Sequence, residues 1–200
     1  MKRSIATGAA IAAAALLAIP AGAAAELTQG DRVNAAQECR AERGDSAATR
    51  EAFKAKYGTN KNKSNAFGKC VSKRAHDEAQ EGETAHSNAS KECKAEAEEL
   101  GAAAFATKYG SGKKGANAHG KCVSGKAKQQ EADADAEDRE AIEERKTAAK
   151  ACADERDDIG KAEFADKYGT NKNKSNAFGK CVSQTAKALH DEDEQPAPTS

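Results

Sequence analysis

Six cysteines are the side chains with the most distinctive chemistry in this 200-residue chain. They fall into three consecutive pairs of nearly equal spacing, and none forms the Cys-x-x-Cys pattern of thiol oxidoreductases. Cysteines of an exported chain form disulfides that persist outside the cytoplasm. The six residues are Cys39, Cys70, Cys93, Cys122, Cys152 and Cys181.

Lysine is the second residue type whose spacing indicates a function. Residues 54–74 hold seven Lys or Arg, residues 106–128 hold six and residues 167–187 hold five, and none of these blocks contains an acid. Lysines in polar loops suit the binding of anionic groups because each is a compact point charge. The candidate ligand-binding residues are Lys61, Lys63, Lys69, Lys113, Lys114, Lys121, Lys172, Lys174 and Lys180.

The same lysines have a second interpretation. Residues 129–144 hold eight acids and one Arg, although the formal charge of the whole chain is zero. The basic blocks can therefore pair with acidic helices of the same chain, or serve only to keep it soluble. Both interpretations stay open at this point.

Metal binding and catalysis are disfavoured by the residue pattern. The four histidines share no repeated position, and no Asp-x-Asp-x-Asp-Gly loop occurs that would hold calcium. His119 takes the place of Phe67 in its repeat, which predicts a half-buried packing role. We expect no catalytic residue, no metal site and no cofactor, and so a protein that is not an enzyme.

An internal repeat organises these residues. The segment 56–72 recurs unchanged at 167–183, and the segment 108–124 matches it at 11 of 17 positions. Each copy has a Phe four residues before its Tyr and a further cysteine upstream. A repeat of this kind predicts three copies of one structural unit.

Each unit is predicted to contain three helices. Helix A carries the first cysteine and ends near Gly44, Gly101 or Gly160, whereas helix B carries the Phe and Tyr. A left-handed glycine is expected to end helix B, at Gly58, Gly110 or Gly169. Ser64 or Asn65 is expected to cap helix C, which places Phe67, Cys70, Val71 and Arg74 or Ala75 on one stripe.

The predicted core is small. Beyond position 25, Leu, Ile, Val and Phe together make up less than a tenth of the chain. Chains with less than about 20% of these residues usually cannot bury a broad hydrophobic layer. Small cores usually need a staple, and a disulfide closing a loop of this length contributes roughly 3.5 kcal/mol. We therefore predict the pairs Cys39–Cys70, Cys93–Cys122 and Cys152–Cys181, because pairing between units would break the repeat.

The segment 1–25 has the pattern of a signal peptide. Lys2 and Arg3 precede an apolar run at 5–19, and Ala23 and Ala25 supply small residues for cleavage. An uncleaved membrane anchor is the alternative. The predicted division is a signal peptide at 1–25, units at 31–80, 84–128 and 147–190, an acidic helical linker at 129–146 and a disordered tail at 191–200.

The repeat resembles one found in small exported proteins of high-GC Gram-positive bacteria. The resemblance covers all three units, although the second departs from it at Ser111, Gly112 and His119. It implies export and a bacterial host, and it brings no assigned activity with it.

We therefore predict an all-α, elongated, exported protein of three disulfide-stapled helical units joined by long charged helices. Its expected role is a non-catalytic component of the cell envelope or the extracellular space that contacts an anionic polymer through three basic loops. The alternatives are a module for protein–protein contact or self-association, and a thiol redox protein.

Overall fold

The computed structural model describes residues 27–111 and 115–193, except for the side chain of Asp193. These residues form seven helices and no strand. The helices are α1 (Gln29–Arg43), α2 (Ala47–Tyr57), α3 (Ala66–Leu100), α4 (Ala102–Tyr109), α5 (Ala118–Ile159), α6 (Lys161–Tyr168) and α7 (Ala177–Asp193). The predicted signal peptide, Lys113, Lys114 and residues 194–200 of the predicted tail lie outside the described residues.

The three predicted disulfides are confirmed. Cys39–Cys70, Cys93–Cys122 and Cys152–Cys181 each join the first helix of a unit to the third, and no cysteine is free. Each bridge lies beside a Phe–Tyr pair whose ring centroids are 4.9 to 5.0 Å apart. The same arrangement of a disulfide beside a Phe–Tyr pair therefore occurs three times in the described residues.

Two long helices set the shape of the molecule. At 1.5 Å per residue, the 35 residues of α3 extend about 52 Å and the 42 residues of α5 extend about 63 Å. They run antiparallel, since Gln130 bonds Glu92 near one end and Arg74 bonds Asp138 nearer the other. The second unit forms the tip of this hairpin. Because α5 is continuous, the predicted acidic linker is part of one helix.

The first and third units meet at the other end of the hairpin, a contact that the sequence did not predict. Ala52 of α2 is buried among Ala148, Phe178 and Val182 of the third unit. Arg156 of α5 bonds Glu51 of α2 at 2.9 Å through both carboxylate oxygens. The small side chain of Ala52 allows this close approach.

The glycines that end helix B in each unit do not have the predicted conformation. Gly58, Gly110 and Gly169 were predicted to be left-handed but have φ near −74°. A Cβ at Gly58 would lie 2.4 Å from the Cβ of Lys63, so this glycine is required by close packing of the loop. The left-handed glycine lies instead at the end of the preceding helix, as at Gly101.

The predicted capping hydrogen bond of α3 is absent. Asn65 is the N-cap residue but makes no capping hydrogen bond, because its side chain bonds the preceding loop. His119 is also exposed rather than half-buried. The predicted stripe of helix C is present, with Cys70, Arg74 and Ala75 buried.

Several carboxylates face one another where α1, α3 and α5 meet. Oxygens of Glu38, Glu78 and Asp135 lie within 4.8 Å of one another. Burial, together with the charges of Glu38, Asp135 and Glu81, raises the pKa of Glu78 to about 7. The folded chain therefore binds a proton that the unfolded chain releases near pH 4.5.

This cluster predicts a stability that falls as the pH rises. A carboxyl whose pKa is raised on folding favours the folded state below about pH 4.5, and this contribution is lost as the pH rises through 7. Glu78→Gln should increase the free energy of unfolding at pH 8 by about 1–2 kcal/mol, allowing for solvent screening. It should also flatten the pH dependence between 5 and 8. Urea unfolding at both pH values measures this, with the exposed Glu83→Gln as control, and equal pH profiles for the two variants would contradict it.

Candidate functional site

A Glu–Lys–Tyr cluster recurs in every unit and fixes helix B against helix A. Glu155 accepts hydrogen bonds from Lys167 Nζ at 2.6 Å and from Tyr168 Oη at 2.8 Å. The corresponding clusters are Glu42–Lys56–Tyr57 and Glu96–Lys108–Tyr109. Sequence reasoning missed them, although each Glu stands three residues after the first cysteine of its unit, a Cys-x-x-Glu pattern that signals the cluster.

The cluster of the first unit is extended into a buried charge network. Arg74 bonds Glu38 at 2.5 Å, Asp138 at 2.7 Å and Glu42 at 3.3 Å. The Glu42 side chain is only 1% exposed. Burial acts to raise the pKa of Glu42, but the opposing effects of Lys56, Tyr57 and Arg74 together hold it below its usual value. Glu42 is therefore ionised and fully partnered.

One asparagine holds the polar loop between helices B and C in each unit. In the loop at 58–65, Asn65 Oδ1 accepts from the backbone of Thr59 at 3.1 Å and Asn65 Nδ2 donates to Thr59 Oγ1 at 2.7 Å. Asn176 makes the same pair of bonds with Thr170 in the loop at 169–176. These bonds tie each loop, and the lysines it carries, to the start of helix C.

The loops of the first and third units border a basic groove at the junction of these units. It consists of two adjoining clefts of about 450 and 480 Å³, which share Ala55, Lys63, Ser175 and Gly179. Polar groups from both loops line it, including Asn62 and Asn171. The basic residues of this groove are Arg50, Lys54, Lys56, Lys61, Lys63, Arg145 and Lys180.

The structure brings together only part of the predicted lysine set. Lys61, Lys63 and Lys180 line the groove, whereas Lys69 and Lys172 are exposed outside its lining. The remaining lysines fall elsewhere. Lys174 pairs with Asp166, Lys121 lies on the second unit at the tip of the hairpin, and Lys113 and Lys114 are outside the described residues. Sequence reasoning missed the other four basic residues of the groove: Arg50, Lys54, Lys56 and Arg145.

Acidic neighbours neutralise some of these charges. Lys56 pairs with Glu42 at 2.7 Å, and Arg145 lies 3.5 Å from the same carboxylate. Glu51, the acid that lines the groove, is bound by Arg156. Within residues 27–111 and 115–193, no carboxylate lies within ion-pair distance of Arg50, Lys54, Lys61, Lys63 or Lys180. The groove thus keeps a surplus of positive charge.

Lys63 has a backbone conformation that is unfavourable for its residue type. Its φ is 55°, in the left-handed region, and Lys174 has a φ of 52° at the same position of the third unit. The second unit has Gly115 there, with a φ of 63°. A left-handed conformation costs a residue with a Cβ about 1–2 kcal/mol relative to glycine. Two loops therefore retain lysine where the backbone favours glycine.

Comparison of the chain with protein-family models, with curated proteins and with solved structures gave no match. Among the helices that the structure describes, none combines the length and apolar character needed to cross a membrane.

The buried network predicts unequal roles for equivalent glutamates. Glu42→Ala should lower the free energy of unfolding by about 3–5 kcal/mol, because it leaves Arg74 buried without one of its carboxylates. Glu155→Ala, at the same position of the third unit, should cost at most about 1 kcal/mol, since the Glu155 side chain is 29% exposed. Urea unfolding of the two oxidised variants measures both values. Equal losses would contradict the assignment of the network as the main polar support of the first unit.

Proposed function

We propose that this chain is an exported, non-catalytic binding protein that holds an anionic polymer in the basic groove between its first and third units. The leader pattern at 1–25 and the three disulfides support export to an oxidising compartment. Localisation in the cell envelope or the surrounding medium follows from the same features. The ligand class follows from the charge of the groove.

The position and the backbone conformation of Lys63 are the main support for this proposal. It lines both clefts of the groove and has no carboxylate partner among the described residues. It also keeps its left-handed backbone where the second unit uses Gly115. Unfavourable backbone conformations of this kind concentrate at functional sites, where a side chain is worth more than the stability it costs. A lysine that binds a ligand anion explains why this position is not glycine.

The groove suits an extended chain of anionic groups rather than a compact ligand. It is open to solvent along two adjoining clefts, and its unpaired cations come from α2, the loop at 58–65 and α7. The amides of Asn62 and Asn171 and the hydroxyl of Ser175 can donate hydrogen bonds to ligand oxygens between these cations. Phosphate or sulfate groups repeated along a polymer would meet several cations at once.

A second basic surface lies at the tip of the hairpin. Lys121 and Lys128 of α5 border a shallow depression together with Asn117 and Ser124. Lys121 and the groove residue Arg145 lie 24 residues apart on α5, which separates them by about 36 Å along the helix axis. A long polymer that reaches both surfaces would bind more tightly than a short one, because the second contact becomes intramolecular.

The structure bears differently on the two alternative roles, thiol redox chemistry and protein–protein contact. A thiol redox role would require an accessible sulfur, but each of the six cysteines is at most 1% exposed. A role in protein–protein contact is favoured by apolar side chains that are not fully covered, such as Phe67, Val71 and Leu100. The pairing of basic blocks with the chain's own acids accounts for Lys56, Lys73, Arg74, Lys108, Lys126, Lys167 and Lys174.

Binding of long-chain inorganic polyphosphate across a salt series tests the proposal. The affinity of the oxidised chain should fall steeply with salt, because binding releases counterions from the polymer. The triple variant Lys61→Gln, Lys63→Asn, Lys180→Gln should bind more weakly and reduce the slope of log K against log salt by about 2. Heparin, used in parallel, shows whether sulfated polysaccharide is bound by the same lysines.

A matched control distinguishes the groove from general charge. The variant Lys91→Gln, Lys94→Gln, Lys150→Gln removes the same charge from exposed helix positions outside the groove. It should keep nearly all of the affinity of the unsubstituted chain. Equal losses for the two triple variants, or no binding at low salt, would overturn the proposal.

The single substitution Lys63→Asn should change the melting temperature and the polyphosphate affinity in different ways. Asparagine tolerates the left-handed region better than lysine, so Lys63→Asn should leave the melting temperature unchanged or raise it. The same substitution should weaken polyphosphate binding. A variant that melts lower and binds as well as the parent would show that lysine is kept at this position for packing.

A further inference from the structure

The contact between the first and third units provides a template for a contact between two copies of the chain. In the third unit, a face made of Arg156, Phe178, Gly179 and Val182 is covered by α2; we call this arrangement of residues the docking face. Phe178 is 7% exposed and Val182 is 1% exposed. A Cβ added to Gly179 would lie 3.2 Å from the Cβ of Ala55, so the glycine admits the docked helix.

The first unit carries the same docking face without a helix on it. The corresponding residues are Arg43, Phe67, Gly68 and Val71. Arg43 lies over the ring of Phe67 as Arg156 lies over that of Phe178, at 5.8 and 4.7 Å from the ring centroids. Phe67 and Val71 are only half-buried, and a Cβ on Gly68 would meet nothing within 4 Å.

The positive charge of this face, on Arg43, also differs in its surroundings from that of Arg156. In the third unit Arg156 is paired with Glu51 of the docked helix. Arg43 has no carboxylate within ion-pair distance among the described residues. The docking face of the first unit therefore lacks both the apolar cover and the anion that the same residues have in the third unit.

Helix α4 is the counterpart of α2 that fits this face. The contacts of α2 are made by Ala48, Glu51, Ala52 and Ala55, and the second unit has Leu100, Ala103, Ala104 and Thr107 at those positions. All four are exposed, and Leu100 is 42% exposed. Helix α4 has no acid of its own to match Glu51, and the nearest acid in the sequence is Glu99, in the last turn of α3.

The remaining counterpart, α6, does not fit. Glu163 takes the position of Ala52, and Asp166 takes that of Ala55 and is paired with Lys174. A carboxylate at the position of Ala52 would be desolvated against Phe67 and Val71. The chain cannot place α4 on its own first unit either, because Cys70 of the first unit and Cys93 of the second lie 23 residues apart on α3, which separates the two units by about 35 Å.

We propose that α4 of one copy docks on the Arg43–Phe67–Gly68–Val71 face of another copy, as α2 docks on the third unit within one copy. The two surfaces are different, so the contact is head-to-tail and leaves one free surface of each kind in every dimer. Such a contact does not close on itself and adds further copies as the concentration rises. Because α4 has only eight residues, the interface is small and the association weak.

Sedimentation equilibrium of the oxidised chain without polyanion tests this proposal. The weight-average mass should rise beyond that of a dimer over roughly 10 µM to 1 mM, the range expected for a small interface. Ala104→Glu, which copies the residue at this position in α6, and Gly68→Leu, which fills the docking face, should each give a monomer. Gly120→Leu is the matched control, since Gly120 is an equally open helix position of the second unit.

Mixing the two variants gives the sharpest outcome. The Ala104→Glu chain keeps its docking face and the Gly68→Leu chain keeps α4, so the mixture should form a one-to-one dimer and nothing larger. Circular dichroism and intact mass should first show that each variant is helical with three disulfides. A monomeric parent chain at every concentration, an equal loss with Gly120→Leu, or a mixture that stays monomeric would overturn the proposal. The absence of polyanion keeps this result independent of the groove.

Discussion

The disulfide between the first and third helices of each unit is the constraint on which the rest of the structure depends. Each unit owns little more than one Phe–Tyr pair, a few small side chains and two cysteines, which is a small core for three helices. The bridge fixes helix A beside helix C, and the Glu three residues after the first cysteine then fastens helix B through its Lys and Tyr. With helix B fixed, the polar loop has a fixed beginning and end. The charged loop surface is therefore positioned by covalent and polar links more than by a hydrophobic core.

The disulfides and the helical framework shared by the three units were predictable from the sequence, although the Glu–Lys–Tyr cluster that they also share was missed. The repeated cysteines and glycines gave the disulfide pairs and the ends of helix A, and the absence of proline between the units allowed α3 and α5 to be long. Gly58 was misinterpreted because a glycine after a helix usually adopts the left-handed conformation, whereas here it makes room for Lys63. Asn65 was misinterpreted because its side chain has two possible partners, the helix and the loop, and it bonds the loop.

Features that depend on differences between the units were not predictable. Helix α2 can pack on the third unit because it has the small apolar Ala52 at a position where the third unit has Glu163. The repeat predicts what the units share and therefore gives no sign of such a difference. Arg74 bonds Glu42, which is 32 positions away in the sequence, and Asp138, which is 64 positions away. No local sequence pattern connects residues that are so far apart. The groove is a consequence of that docking, so the basic residues that α2 and α5 contribute to it were missed together. The three units thus differ in position: the second lies at the tip of the hairpin, and α2 of the first packs on the docking face of the third.

The central claim is that the lysines of one groove, rather than basic charge in general, bind an anionic polymer. Amine labelling with and without polyphosphate tests it most directly, because it reads every lysine of the unsubstituted oxidised chain in one experiment. Mass spectrometry should show protection of Lys54, Lys61, Lys63 and Lys180, while the exposed Lys91 and Lys94 keep their reactivity. Uniform protection of all lysines, or protection confined to residues outside the groove, would contradict the account.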